Sequence, residues 1–420
     1  MEKNEQILKE GSFRKMVMNL CVPTIVIMLV MVLYNMADTY FIGKTGDPCK
    51  IAAVSLCGPI FSILSGLGTL LGSGGCTAVS LAFGKKEFDK IRAYSSMCCY
   101  GALTMGLIFT GAVLINAPAI SDAIGANADT MSDTCTYLRI LAIGGPVILF
   151  GNVFNNLIRA DGSAKQSMLA NGLGTYLLWY IAQKNRIFSL HIKDFSLKRE
   201  IVFPVVTLGF PMACSTILMS ISHMVMNQML AGYGSVAVAA NGVAGKVSMV
   251  VSMTAMGICM GMQPAISYNC GAGNYKRLYW IIKKLGIMTV VVGSILTAGC
   301  VVGKTYLVAA FIDHAQVIEL GEKMVAVSMV IGPFYGLYQL CTTFLQSTGK
   351  ASYATLVAVL NKGLIYLPLL LIFNNLWGLN GVIYTAPVTD MLSLLVGAGL
   401  CIRWNRIMVN GDRGLSLSDV

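Results

Sequence analysis

At 420 residues the chain has the length of two or three soluble domains, yet 56% of it is hydrophobic and only 12% charged, with a mean hydropathy of +0.71. A soluble fold coats itself with about 25% charge, so the composition excludes a water-solvated enzyme or binding module and requires solvation by lipid. The net charge of +11 sits at the ends of apolar runs, with no basic patch interleaved with aromatics. That excludes nucleic-acid binding as its meaning.

In chain order, the first fifteen residues mix Lys3, Lys9, Arg14 and Lys15 with Glu2, Glu5 and Glu10. A full-length apolar run follows, so no cleavable leader is expected. Runs of about 20 apolar residues mark bilayer crossings. They are predicted near 16–42, 51–82, 92–117, 136–158, 202–230, 236–268, 279–302, 323–346, 354–375 and 380–403. Several exceed the minimum length and should tilt or project from the hydrocarbon.

Lys85, Lys86, Lys90 and Arg92, then Arg159 and Lys165, then Lys184 to Arg199, Lys276 to Lys284, Lys350, and Arg403 with Arg406 lie in connections on one side. The positive-inside rule places these and the N-terminus in the cytoplasm of a multi-pass inner (plasma) membrane protein. A shorter stretch, 167–182, separates two of these basic connections. Its sixteen residues reach roughly 24 Å, short of the roughly 30 Å hydrocarbon. We expect a re-entrant or interfacial placement rather than a strained crossing.

The chain repeats itself. Gly145-Pro146, Gly162 to Ala164, and Gly84 recur 187 residues later as Gly332-Pro333, Gly349 to Ala351, and Gly271. Pro23 and Pro211 open the two copies. Two homologous halves in an apolar chain are the construction of many secondary transporters. The copies then diverge: Gly349 to Trp404 spans 55 residues, Gly162 to Trp179 only 17. The expected fold is therefore an all-α polytopic membrane protein of two pseudo-symmetric helical bundles, six-helix repeats with the first truncated. The N-terminal lobe takes residues 1–183, truncated after its fourth span. A basic cytoplasmic linker takes 184–200, the C-terminal lobe 201–408 and a tail 409–420.

Ionisable groups inside apolar runs are costly and are candidates for function. Asp38 lies near the outer end of the first span, on one helical face with Tyr34 and Asn35. It is a proton- or cation-binding acid, or an interfacial acid hydrated at the boundary. Asp390 in the last span reads as a structural partner or a transport group. Lys246 pairs with an acid or snorkels to a helix end. His223, above Asn227 and Gln228, serves interhelical hydrogen bonding or proton relay. Asn152, Asn155 and Asn156 share a face of the fourth span, which Tyr137 opens. They are helix glue or cavity wall. The 25 Met fill core and would also suit varied apolar guests. The 13 Cys fall mostly in apolar runs, with no Cys-x-x-Cys pair and no Cys/His ligand spacing. No phosphate-loop signature occurs, so the energy source is expected to be an ion gradient and no cofactor is expected.

Three segments together carry a resemblance: Pro23 through Asp38-Thr39-Tyr40-Phe41-Ile42-Gly43, then Gln263-Pro264 with Tyr268-Asn269 and Gly271-Ala272, and the turns at Arg159 to Lys165 and Gln346 to Ala351. The chain resembles the multidrug and toxic compound extrusion (MATE) family over almost its whole length. That resemblance implies two six-helix lobes rocking about a central cleft, exporting organic cations or drugs against inflow of H⁺ or Na⁺, and no enzymatic activity. It implies that Asp38 belongs to an N-lobe cation site with Tyr137 as companion. Asn155, His223, Gln228, Gln263, Asn269 and Asp390 are the candidates for the substrate cavity. The expected partners are the bilayer and a small organic cation, with the protein acting as a monomer. The chain departs from the family after Thr175, which runs straight into Tyr176-Leu177-Leu178-Trp179. The polar Asn…Leu-Asp-Pro continuation that completes the family's N-lobe site has no counterpart. A truncated, transport-impaired paralogue and a lipid-linked-sugar flippase of the same superfamily are the alternatives.

Overall fold

Lipid offers no partner to a bare amide, so apolar runs satisfy their backbone internally as helices. In the computed structural model every regular element among the described residues is a helix. The described residues are 2–44, 53–54, 56–127, 129–160, 162–165, 167, 192–312 and 314–411. All but the first residue of the segment 167–182 lies outside them, as do the side chains of Asn35 and Asp38.

A short amphipathic helix α1 (Glu2–Glu10) leads into α2 (Phe13–Met16), which passes through a π-helical turn at Val17–Cys21 into α3 (Val22–Lys44). Then come α4 (Gly58–Gly84), α5 (Phe88–Ala123) and α6 (Met131–Ala160). The second lobe comprises α7 (Arg199–Ala231), α8 (Ser235–Gly271), α9 (Tyr275–Val302), α10 (Lys304–Ala309), α11 (Ala315–Met329) and α12 (Gly332–Ser347). It closes with α13 (Ala351–Val359), a π turn at Leu360–Leu364, α14 (Tyr366–Trp377) and α15 (Leu379–Gly411). Among the described residues 9 helices are long and apolar enough to cross a membrane, or 10 if the pair α11–α12 counts as one span. Nine of the ten expected crossings each fall on one of these, and the tenth, 323–346, falls on the pair α11–α12.

Equivalent sequence makes equivalent turns. The amides of Gly273 and Asn274 close on the carbonyls of Cys270 and Asn269, and those of Lys86 and Glu87 close on Phe83 and Ala82, each 187 positions earlier. The left-handed position is Gly273 in the second copy (φ 69°) and Lys86 in the first (φ 61°).

One pair of equivalent prolines does not make equivalent helices. The expected single span 323–346 is broken, with α11 and α12 meeting at 50° just before Gly332-Pro333, whereas α6 runs through Gly145-Pro146 without interruption. A proline frees the carbonyl four residues back. In the first lobe that carbonyl, Ala142 O, accepts from Thr110 Oγ1 of α5 at 2.7 Å. The equivalent hydroxyl in the second lobe, Thr297 Oγ1, is buried without a hydrogen-bond partner. One lobe has repaired its proline break and the other has bent.

The buried apolar side chains divide unevenly. The largest cluster joins both lobes at the end bearing the basic connections, from Leu8, Leu20, Ala82 and Phe83 to Ile266, Tyr268 and Leu345. At the opposite end each lobe keeps its own core, around Cys57, Val113, Leu138 and Ala142 in the first and around Leu230, Ala244, Val308 and Val325 in the second.

Thr110→Val should lower stability by about 1–2 kcal/mol, because the Ala142 carbonyl loses its donor in an apolar setting. Thr297→Val, of nearly the same shape, should be neutral or slightly stabilising. Thermal unfolding of the two purified variants in one detergent checks the contrast.

Candidate transport pathway between the lobes

The lobes meet along two helix pairs related by the repeat, α4 with α7 and α3 with α8. Backbones approach this closely only where a side chain is missing. A Cβ on Gly74 would overlap the Val205 carbonyl, and one on Gly209 would overlap that of Leu70. In the other pair, a Cβ on Gly261 would lie 2.7 Å from Leu20 O and 2.8 Å from Cys21 Cα. At the basic end α4 and α8 touch reciprocally. Gly84 faces the Tyr268 carbonyl, and its repeat partner Gly271 faces the carbonyl of Leu81, itself the repeat partner of Tyr268. A pseudo-twofold axis therefore runs between Gly84 and Gly271.

Polar groups latch the same seam. Gln263 Nε2 of α8 donates to Thr77 Oγ1 (2.8 Å) and Ser73 Oγ (3.4 Å) of α4. Gln346 Nε2 of α12 donates to the same Ser73 Oγ (2.8 Å) and to Leu208 O (2.6 Å). The N-terminal segment straps across it. Leu8 is fully buried, its carbonyl accepts from Asn269 Nδ2 (3.0 Å), and Gly11 O accepts from Arg277 Nη2 (2.7 Å).

Away from the basic end the two helix pairs behave differently. α4 and α7 stay together, with Ser220 Oγ donating to Ser62 Oγ at 2.6 Å. The approach of α3 to α8 ends in a methionine cluster drawn from three interface helices, Met28, Met212 and Met260, with Met253 and Met256 against them. Beyond it Val30, Leu33 and Tyr34 of α3 are exposed.

The sequence candidates separate accordingly. Gln263 and Asn269 are buried in the seam and the strap rather than on an open wall. Asn152 and Asn156 pack on Gly68 and Gly72 of α4, while Asn155 accepts from Ser167 Oγ through its carbonyl at 3.1 Å. Tyr137 is half-buried against the outer core of the first lobe. His223 and Gln228 are exposed. Lys246 stacks over Phe311, its Nζ 5.4 Å from the ring centroid.

Asp390 has partners that the sequence reading passed over. Asn361 Nδ2 donates to Asp390 Oδ1 at 2.8 Å, and Lys362 Nζ stands 4.0 Å from the same oxygen. Both lie in the π turn between α13 and α14, and Ser222 Oγ of α7 donates to the Lys362 carbonyl. The available signal was a lysine in the middle of an apolar span, which is costly unless it serves something.

Fold and seam define a two-lobed polytopic membrane transporter, not an enzyme. The chain belongs to the MatE family, whose model matches residues 23–182 and 211–372. It is similar to the multidrug export protein MepA of Staphylococcus saprophyticus, 29% identical over 433 aligned positions, with 94% of this chain and 95% of that protein covered. It is equally similar to MepA of Staphylococcus aureus, at 29% over 434 positions. Among solved structures, an outward-facing MATE family transporter of the MOP superfamily superposes with a TM-score of 0.88 at 20% identity, covering 98% of this chain and 99% of that one. A MOP superfamily transporter from Pyrococcus furiosus described as having a binding pocket of reversed polarity gives 0.87 at 20% identity, covering 98% and 99%.

Gln346→Leu removes two hydrogen bonds from the seam and should weaken its closure by about 1–2 kcal/mol. Spin labels at the exposed positions Lys90 and Lys284, one on each lobe, should then show a longer-distance population that is small in the parent protein.

Proposed function

We propose that this protein exports organic cations or drugs across the plasma membrane, driven by inflow of H⁺ or Na⁺, and that it works as a monomer through alternating access of its two lobes. The observation that carries this reading is the uneven core: one apolar cluster shared by both lobes at the basic end, and separate cores at the other. With the basic connections and N-terminus in the cytoplasm, the seam is the inner gate in its closed state and the splayed ends form an outward-open cleft. Rocking the lobes would break the glycine contacts and the Ser73 hydrogen bonds while sparing each lobe's own core. The methionine cluster would form the floor of the cleft, and unbranched thioethers adapt to apolar cations of varied shape. The names of the staphylococcal relatives support multidrug export.

A second reading, a transport-impaired paralogue, has one observation in its favour. The alignment to the first relative has 433 columns, and 94% of 420 residues fills about 395 of them, leaving roughly 38 without a residue from this chain. The repeat falls short by the same amount, 17 residues where the second copy has 55. A shortfall of that size would take most of two crossings from the first lobe, and with them the polar partners that Asp38 would need.

Proteoliposomes loaded with a fluorescent organic cation separate the readings. Gradient-driven export that collapses with an ionophore is the expected result. An inert wild-type protein, correctly inserted, would favour the impaired paralogue.

A further inference from the structure

We propose that Asp390, held by Asn361 and Lys362, is the proton-binding group that couples H⁺ inflow to cation export, so that coupling resides in the complete C-terminal lobe. This inference rests on the export reading and names the ion and the site within it.

Asp390 lies eleven residues into α15, about 17 Å along the helix from its outer end, which is mid-membrane. Its carboxylate is mostly buried (13% exposed), as is the Lys362 side chain (20%). The hydrogen bond and the ion pair both fall on Oδ1, and among the described residues nothing donates to Oδ2. Asn361 is fully buried, and its Oδ1 has no hydrogen-bond partner although its Nδ2 is bound to Asp390. One turn along α15 from the acid, the buried Ser393 Oγ is likewise unpartnered. A buried orphan carbonyl beside a half-used carboxylate is costly.

A proton resolves both. A carboxylic acid and a primary amide form a cyclic pair, N–H to one oxygen and O–H to the other. Here the N–H half already exists, and a proton arriving from water on Asp390 Oδ2 supplies the donor for Asn361 Oδ1. No covalent bond to carbon, nitrogen or sulfur changes, and Lys362 keeps its own proton throughout. The π turn at Leu360–Leu364 is what sets Asn361 and Lys362 toward α15, and such single-turn bulges recur at functional sites.

Charge then makes proton and drug exclusive. With Asp390 ionised, the pair is neutral and the carboxylate can receive an organic cation in place of the Lys362 ammonium. With Asp390 protonated, Lys362 stands uncompensated and repels that cation in a low-dielectric setting. Among the described residues, the other titratable groups near the pair are tyrosines and a histidine. Tyr366 is on α14, Tyr335 and Tyr338 on α12, all within electrostatic reach of Asp390, and His223 of α7 is within reach of Lys362. None offers a second carboxylate.

The test uses the full chain in detergent or nanodiscs, with tetraphenylphosphonium as probe. Calorimetric titration in buffers of different ionisation enthalpy counts the protons released on binding. The wild type should release a substantial fraction of one proton per bound cation, and NaCl at constant pH should not displace the probe. Asp390→Asn should bind at least tenfold more weakly and release none. Lys362→Met, which removes the resident competitor, should bind the probe several-fold more tightly. Undiminished proton release by Asp390→Asn, weaker binding by Lys362→Met, or displacement of the probe by Na⁺ would each overturn the assignment. In those cases wild-type export in proteoliposomes would still stand. A wild type that neither binds nor moves any organic cation would remove the export reading, and this proposal with it.

Discussion

The structure depends on backbone touching backbone at one end of a pseudo-twofold axis. Gly84 against the Tyr268 carbonyl and Gly271 against that of Leu81 are the same contact made twice. In lipid the hydrophobic effect does not drive helices together, because acyl chains are as apolar as leucine. Close approach, dispersion and interhelical hydrogen bonds have to do it. Small residues placed on the axis give that approach at the basic end, and Ser73, shared by Gln263 and Gln346, adds the polar component. Away from that end α4 and α7 remain in contact at Ser62 and Ser220, while the outer cores of the two lobes are separate.

A duplicated chain need not keep both copies in the same state. Thr110 and Thr297 are equivalent, and so are Pro146 and Pro333. Yet one hydroxyl satisfies the freed carbonyl and the other is buried without a partner beside a bent helix. The difference lies in a single hydrogen bond, which is small against the packing energy of a lobe. The same asymmetry appears at larger scale: the second copy holds a lysine, an asparagine and an aspartate in mutual contact, while the first lacks a comparable length of chain.

Taken together, the two lobes divide their labour. Both supply the seam, and the first adds the strap across it. The second contributes the buried ionisable cluster, the π turn and the broken helix. The methionines lie where the two meet, facing neither lobe's core alone.

The sequence by itself determined the lipid-solvated class, nine of the apolar helices long enough to cross a membrane, the repeat and its offset, and the shortfall of the first copy. These follow from composition and from spacing along one chain, and lipid leaves a long apolar run no fold but a helix. Asp390 was legible as a buried acid for the same reason. Its partnership with Asn361 and Lys362 was not, since residues 29 positions apart meet only once a π turn has rotated one helix against another. Gln263 and Asn269 read as cavity residues because polar groups in apolar runs point inward. Tertiary packing decided that inward meant the seam. The two Gly-Pro pairs likewise read alike in sequence, and only the packed structure shows one helix continuous, with Thr110 on the freed carbonyl, and the other bent.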